Sequence, residues 1–544
     1  MGPGESEESI VPLAIGLSFG HVEKTIGGRP SVPRNSRVSI RLLTLRSLTA
    51  SLMLLAWTAT PAAASAERPA SPGRLAASAS AKKAGTAKKI SFFEQPDLVL
   101  YRLSEQRWDR KLHDSFGLPD WVELSLTDRE RLETVSHPWR RGQTPKTDAQ
   151  VAKRLRLRLG FNRGPFWVLA EGQDSRLLLH DGGEFDGPSV EDHADLLQLF
   201  ISARFANTFG SKLRTDVHLG RFTFEFGSTR LIGRNVYPNA TNSFEGLHVN
   251  VGREKRWRAR TFYTRPLERF VDGRDTSYAE RTLWGTVYES SRNPWLLTEL
   301  YYLGFDDHRD RRPAQGINFS TLGARVRRDV PRGSELKKLT GRGTVDYELE
   351  ATAQDGRKGP KDFRARMVHA EVGYTWNVHL YPRLAVFLDY ASGTKDPNGP
   401  VNQTFDKLYG LKDFDLGATG IYGLVNRANL VSPAWRVHCN PRANLRIYLR
   451  HAFRYLDEAK DSFSGANVTG FAAIRDATGR AGTYLGNDIE LAAIWNVSDN
   501  FLVEGRYGHW WKGSYFDRLP RNSGLPAGGG ADTDFFCAST QARF

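Results

Sequence analysis

Lys153-Arg154-Leu155-Arg156-Leu157-Arg158-Leu159-Gly160-Phe161 alternates arginine with leucine. A strand turns successive side chains to opposite faces. Leu155, Leu157, Leu159 and Phe161 therefore share one face, and Arg154, Arg156 and Arg158 share the other. A soluble sandwich can hold such a strand with its arginines in water. A membrane barrel can hold it too, with leucines in lipid and arginines in a wet lumen.

The pattern recurs along the chain. Arg256, Arg258 and Arg260 alternate with Trp257, Ala259 and Thr261. Arg446, Tyr448 and Arg450 alternate with Leu445, Ile447 and Leu449, and Asp346, Glu348 and Glu350 with Val345, Tyr347 and Leu349. Eighteen segments read as strands: 121–126, 152–161, 166–173, 196–205, 213–222, 244–251, 256–263, 283–288, 295–303, 321–327, 345–354, 365–374, 384–391, 430–437, 445–453, 488–495, 501–510 and 535–544. An even number of strands, many near the roughly 9–11 residues that cross a bilayer at a tilt, suits a transmembrane antiparallel β-barrel.

Composition narrows the class. The 544 residues carry a net charge of +15, 11% aromatics and 51 glycines. Mean hydropathy is −0.47, and no apolar run reaches the roughly 18 residues that suggest a spanning helix. That excludes a helical membrane protein and leaves a barrel untouched. The arginines are dispersed through strand-like segments. This argues for an electropositive lining and against a nucleic-acid binder. Cys439 and Cys537 lie far apart and fit no metal spacing. No zincin, nucleophile-elbow or phosphate-loop motif is present, so no enzyme and no cofactor is expected.

The ends of the chain add a compartment. Residues 1–36 match no domain pattern. Within 37–66, Arg41 and Arg46 precede a short apolar run at 48–57, and small residues up to Ala66 offer a cleavage site. This is the layout of a secretory signal peptide. Its distance from Met1 suggests that translation starts nearer Val38. Residues 67–90, rich in Ala, Ser and Lys, read as a disordered linker. Residues 91–116 read as a periplasmic lead-in and 117–544 as the barrel. At the far end Phe536, Ala538, Thr540, Ala542 and Phe544 share one strand face. A terminal aromatic closing such a strand resembles the assembly signal of bacterial outer-membrane barrels.

Two longer motifs carry a family resemblance. The first is Gly220-Arg221-Phe222, then 226–233 (Phe-Gly-Ser-Thr-Arg-Leu-Ile-Gly), Asn239, and Phe244-Glu245-Gly246. The second is 389–393 (Asp-Tyr-Ala-Ser-Gly), then 404–409 (Thr-Phe-Asp-Lys-Leu-Tyr), Gly423 and Asn429. Together they resemble the alginate-export family of outer-membrane barrels over roughly 117–544. Thr394 and Glu245 stand where that family usually carries Asp. The resemblance implies an eighteen-stranded monomeric channel with an arginine-rich constriction, passing an anionic polysaccharide outward. Expected partners are that polymer, outer-membrane lipid and periplasmic polysaccharide-secretion proteins.

Arginine suits such a cargo. Its planar fork donates two hydrogen bonds to a carboxylate and keeps its charge. Pore-lining residues are expected to be Arg154, Arg156, Arg158, Arg221, Arg230, Arg234, Arg258, Arg446 and Arg450, with Glu371 and Asp389 as acidic members. Strict alternation along 213–222 sets Arg221 with Thr215, Val217 and Leu219 on the lipid face; a bulge near Gly220 would turn it inward. An ion-pair ladder that stiffens the wall accounts for the same arginines without a cargo, most directly for Arg325 and Arg327. Asp406 is expected to cap a turn, with a cation site as the rarer reading. Residues 394–421 are expected to form an extracellular loop over the mouth. Two other functions fit the sequence: an anion-selective uptake porin for small acids, and a secreted polysaccharide-binding or lyase β-protein.

Overall fold

The computed structural model describes residues 111–544 except 138–146, 181–186, 209, 235–236, 254–255, 310–315, 332, 413–414, 418–424, 463–474 and 520–530. The expected N-terminal extension, signal peptide and linker, and the expected lead-in up to residue 110, lie outside the described residues. A short helix, Lys111–Ser115, comes first. Twenty strands follow among the described residues, two of them only two residues long, Thr276–Ser277 and Val401–Asn402.

The other eighteen cross the wall. They are β1 (Val122–Ser136), β2 (Thr147–Arg163), β3 (Phe166–His180), β4 (Asp192–Thr208), β5 (Leu213–Phe222), β6 (Phe244–Arg253), β7 (Trp257–Glu268), β8 (Arg281–Ser290) and β9 (Leu297–Asp307). The second half is β10 (Ile317–Arg328), β11 (Gly343–Lys358), β12 (Lys361–Trp376), β13 (Arg383–Ala391), β14 (Leu430–Arg442), β15 (Leu445–Tyr455), β16 (Tyr484–Ser498), β17 (Phe501–Lys512) and β18 (Thr533–Arg543). Each pairs antiparallel with the next. β1 pairs back with β18, from Thr127 opposite Arg543 to Val135 opposite Phe535. The ring is closed and leaves no edge, which is what a membrane requires of strands.

Every strand read from the sequence falls on one of these eighteen. Alternation decides which side of the wall each residue takes. Leu157 is 51% exposed, Leu219 56% and Leu322 63%, and together with Leu199, Leu300, Val372 and Leu491 they form an outward apolar band. Among the described residues no other strand covers these faces, as a soluble sandwich would require. Exposed aromatics at one end, Trp121, Phe166, Phe205, Trp295, Trp376 and Trp495, mark an interfacial girdle. Arg154, Arg156 and Arg158 are buried on the inner face.

Loop lengths orient the barrel. Apart from the link 329–342, strands at the girdle end are joined by short turns such as 164–165, 443–444 and 499–500, the periplasmic pattern. The opposite, outer end carries the longer connections 223–243, 269–280, 392–429 and 456–483.

Two of these long loops meet inside. Loop 223–243 carries Phe224, Phe226, Leu231 and Ile232, all buried, in one apolar cluster with Phe244, Phe262, Tyr301 and Phe405. Burying such side chains draws a loop off the rim and into the bore. The long loop 392–429 joins it edge to edge. Tyr409 N donates to Leu231 O at 2.9 Å, Leu411 N to Thr229 O at 2.9 Å, and Gly233 N to Tyr409 O at 3.1 Å. A Cβ at Gly410 would stand 1.7 Å from Arg230 O, so only glycine permits this approach. The expected cover at 394–421 is thus in part a second wall within the lumen.

Candidate functional site

The inner face is built from guanidinium groups and carboxylates in a repeated arrangement. One carboxylate lies between two arginines. Glu171 takes Arg158 at 3.1 Å and Arg234 at 3.3 Å. Glu289 takes Arg258 and Arg260, each at 2.5 Å. Glu371 takes Arg383 at 2.6 Å and Arg436 at 3.0 Å. Asp488 takes Arg450 at 2.5 Å and Arg454 at 2.7 Å. Glu299 takes Arg325 at 3.0 Å, with Arg327 at 3.7 Å. The strand members of these sets meet because alternation turns them to one inner face, while Arg234 reaches Glu171 from loop 223–243.

The wall formed by β1 and β2 grips loop 223–243 through neutral acceptors. Arg129 donates to Asn239 Oδ1 at 3.0 Å, and Arg154 to Pro238 O at 3.3 Å. Arg156 donates to Gln173 Oε1 at 2.8 Å and to Thr241 Oγ1. Asn239 Nδ2 returns a bond to Lys153 O at 2.8 Å.

On the far side the loop reaches Arg230. Its guanidinium donates to Asp415 from Nε at 2.8 Å, to Glu350 at 2.8 Å and to Glu348. Arg427 Nη2 takes the same Asp415 at 2.7 Å. Burial alone would raise the Asp415 carboxyl. Arg230, His369 and Arg427 overcome this and hold it well below the usual range. Asp389 pairs with His369 Nδ1 at 2.9 Å beside this cluster. Arg446 is half-buried on the same inner face as Arg450, toward the periplasmic end.

So the structure places Arg154, Arg156, Arg158, Arg230, Arg234, Arg258, Arg446, Arg450, Glu371 and Asp389 on the lumen side. Arg221 is the correction. It sits opposite Leu199 on β4 and Glu245 on β6, and Leu199 is 49% exposed on the outward face. Opposed residues of an antiparallel pair share a face. Arg221 donates to Glu245 at 2.8 Å and to Asp275 O at 3.1 Å, at the outer rim. Plain alternation put it there, and no inward turn at Gly220 intervenes. Asp406 caps a turn, accepting from Leu408 N at 2.8 Å, and its other oxygen takes Lys358 at 2.7 Å. An ammonium thus stands where a metal ion was the rarer expectation. Sequence reasoning missed Asp415 and Arg427, which sit in an irregular loop with no periodicity to mark them.

A closed barrel with an apolar belt and a charged bore is an outer-membrane channel. The chain belongs to the alginate export family, whose model matches residues 120–524. Among solved structures it is similar to OccD3 (OpdP) of Pseudomonas aeruginosa, with 12% identity and TM-score 0.50, covering 78% of this chain and 91% of that one. It is likewise similar to OccK8 (OprE) of the same organism, with 11% identity and TM-score 0.50, covering 78% and 98%. These likenesses concern the fold. No curated protein matches in sequence.

Proposed function

We propose that this channel passes an anionic polysaccharide of the polyuronate class outward across the outer membrane. The carrying observation is the carboxylate held between two arginines, repeated around the bore at Glu171, Glu289, Glu371 and Asp488. A uronate carboxylate presents the same group to the same forks. It can exchange with the resident acid without leaving either guanidinium bare. Exchange of this kind replaces the water stripped from the polymer and keeps each site weak enough to release it. The resident acids also satisfy the arginines when the bore is empty, so the ladder that stiffens the wall and the ladder that carries the cargo are one structure. On this reading the protein acts as a monomer in outer-membrane lipid and receives polymer from periplasmic secretion proteins.

A second reading, uptake of small organic acids, is favoured by the narrowing that loops 223–243 and 392–429 impose. Planar-bilayer recording separates the two. Polyuronate added to the periplasmic side should block the current in a voltage-dependent way, and a neutral glucan of equal length should not. Block by small monocarboxylates with none by the polymer would support uptake and overturn export.

A further inference from the structure

The outer mouth holds a group of carboxylates that the anion path does not use. Asp192 and Asp195 stand at the start of β4, and Asp275 lies in loop 269–280. One oxygen from each comes within 4.8 Å of the others. The residues are 2%, 8% and 5% exposed. Positions three apart on a regular strand face opposite sides. Here Ala194 has φ of 50°, and the pairing with β3 slips between Gln173 and Ser175. Both acids thereby come to one side.

Hydrogen bonds use part of the acceptor capacity. Gln173 donates to Asp192 Oδ2 at 2.8 Å. Leu196 N and Asp275 N donate to the two oxygens of Asp195 at 2.6 and 2.7 Å. Phe270 N donates to Asp275 Oδ1 at 3.1 Å. Asp192 Oδ1 is left over: it is sealed from water, and no donor among the described residues reaches it. A buried carboxylate oxygen without a partner is costly, and in native proteins it points to something that fills the place. The charge of Arg269 acts on both Asp275 and Asp192, and that of Arg156 on Asp192.

We infer that Asp192, Asp195 and Asp275 bind a divalent cation at the outer mouth, Ca²⁺ in preference to Mg²⁺. All donors are hard oxygens. Ca²⁺–O distances of about 2.3–2.6 Å let opposed ligands stand roughly 5 Å apart, whereas Mg²⁺ holds them near 4.2 Å. The three oxygens lie within 4.8 Å of one another in a buried site, where Ca²⁺ accepts an irregular shell of protein oxygens and Mg²⁺, which keeps several of its waters, is disfavoured. The ion ties β4 to loop 269–280. That loop in turn holds the inward loop through the Arg269 bond to Ala240 O at 3.1 Å.

Calorimetric titration of CaCl₂ into protein refolded in detergent, free of lipopolysaccharide, tests the site. One saturable binding event is expected, weakened on the order of tenfold or more in Asp275→Asn and in Asp192→Asn. It should be unchanged in Asp355→Asn, an exposed acid on the outer wall. Ca²⁺ should raise the thermal midpoint of the wild type and not that of Asp275→Asn. Should Asp275→Asn not fold, Asp192→Asn carries the test. No uptake by the wild type, full affinity in both site variants, or equal affinity for Mg²⁺ overturns the inference.

Discussion

Arg230 and Asp415, 185 positions apart in the chain, meet fork to fork, Nε to Oδ2 at 2.8 Å and Nη2 to Oδ1 at 3.2 Å. Arg230 belongs to the inward loop and Asp415 to the long loop. Arg230 also reaches Glu350 on the wall at 2.8 Å. One guanidinium thus joins two loops and a strand across the bore.

Arg230→Met should loosen that junction. Removing one member of a buried charge cluster leaves the others uncompensated, at a cost of about 3–5 kcal/mol. The barrel wall does not depend on it, so the variant should still insert. Single-channel recording should show a larger and noisier conductance. Wild-type conductance would mean that the loops are not held together there.

Arg221 and Arg158 make a matched pair. Arg158 bonds Glu171 inside, and Arg221 bonds Glu245 on the outer side of the wall. Arg158→Ala should therefore shift the reversal potential toward cations, and Arg221→Ala should leave it where it was. Reversal potentials under one salt gradient check both. A shift from Arg221→Ala would return that residue to the pore.

Glu371→Gln acts in the opposite direction. Arg383 and Arg436 share this carboxylate. Without its charge the bore should become more anion-selective. The midpoint of thermal unfolding should fall, by about 1–3 kcal/mol in stability, because charge-assisted bonds are lost. Selectivity and unfolding measured on the same preparation test this.

Gly246→Ala probes the wall itself. Gly246 has φ of 155°, and a Cβ there would stand 2.2 Å from Tyr263 O. The neighbouring strand has no room to yield, and the backbone is one that L-residues seldom adopt. Refolding in detergent should give much less of the heat-shiftable band than wild type. Normal yield would show that this pairing tolerates a side chain.

Much of the wall was legible because lipid imposes strict alternation. The strand at 213–222 was read to both ends. The first strand was read as 121–126, yet it runs to Ser136. Beyond Thr127 its outward residues Asp128 and Glu130 are charged and meet Lys153. Above the apolar band polarity no longer distinguishes the two faces, so the pattern fades while the pairing continues. Arg221 shows the same logic from the other side. Its parity told where it lies, and its place in a family motif did not. The junction of Arg230 with Asp415 was not legible at all, since it depends on how two irregular loops pack inside a ring.

The most direct test is the reversal potential of the wild-type protein in a planar bilayer under a KCl gradient. The guanidinium-lined bore requires a potential of the sign set by chloride, shrinking as added polyuronate occupies the channel. A potential of the sign set by potassium, or a protein that stays dissolved without detergent and never conducts, would contradict it.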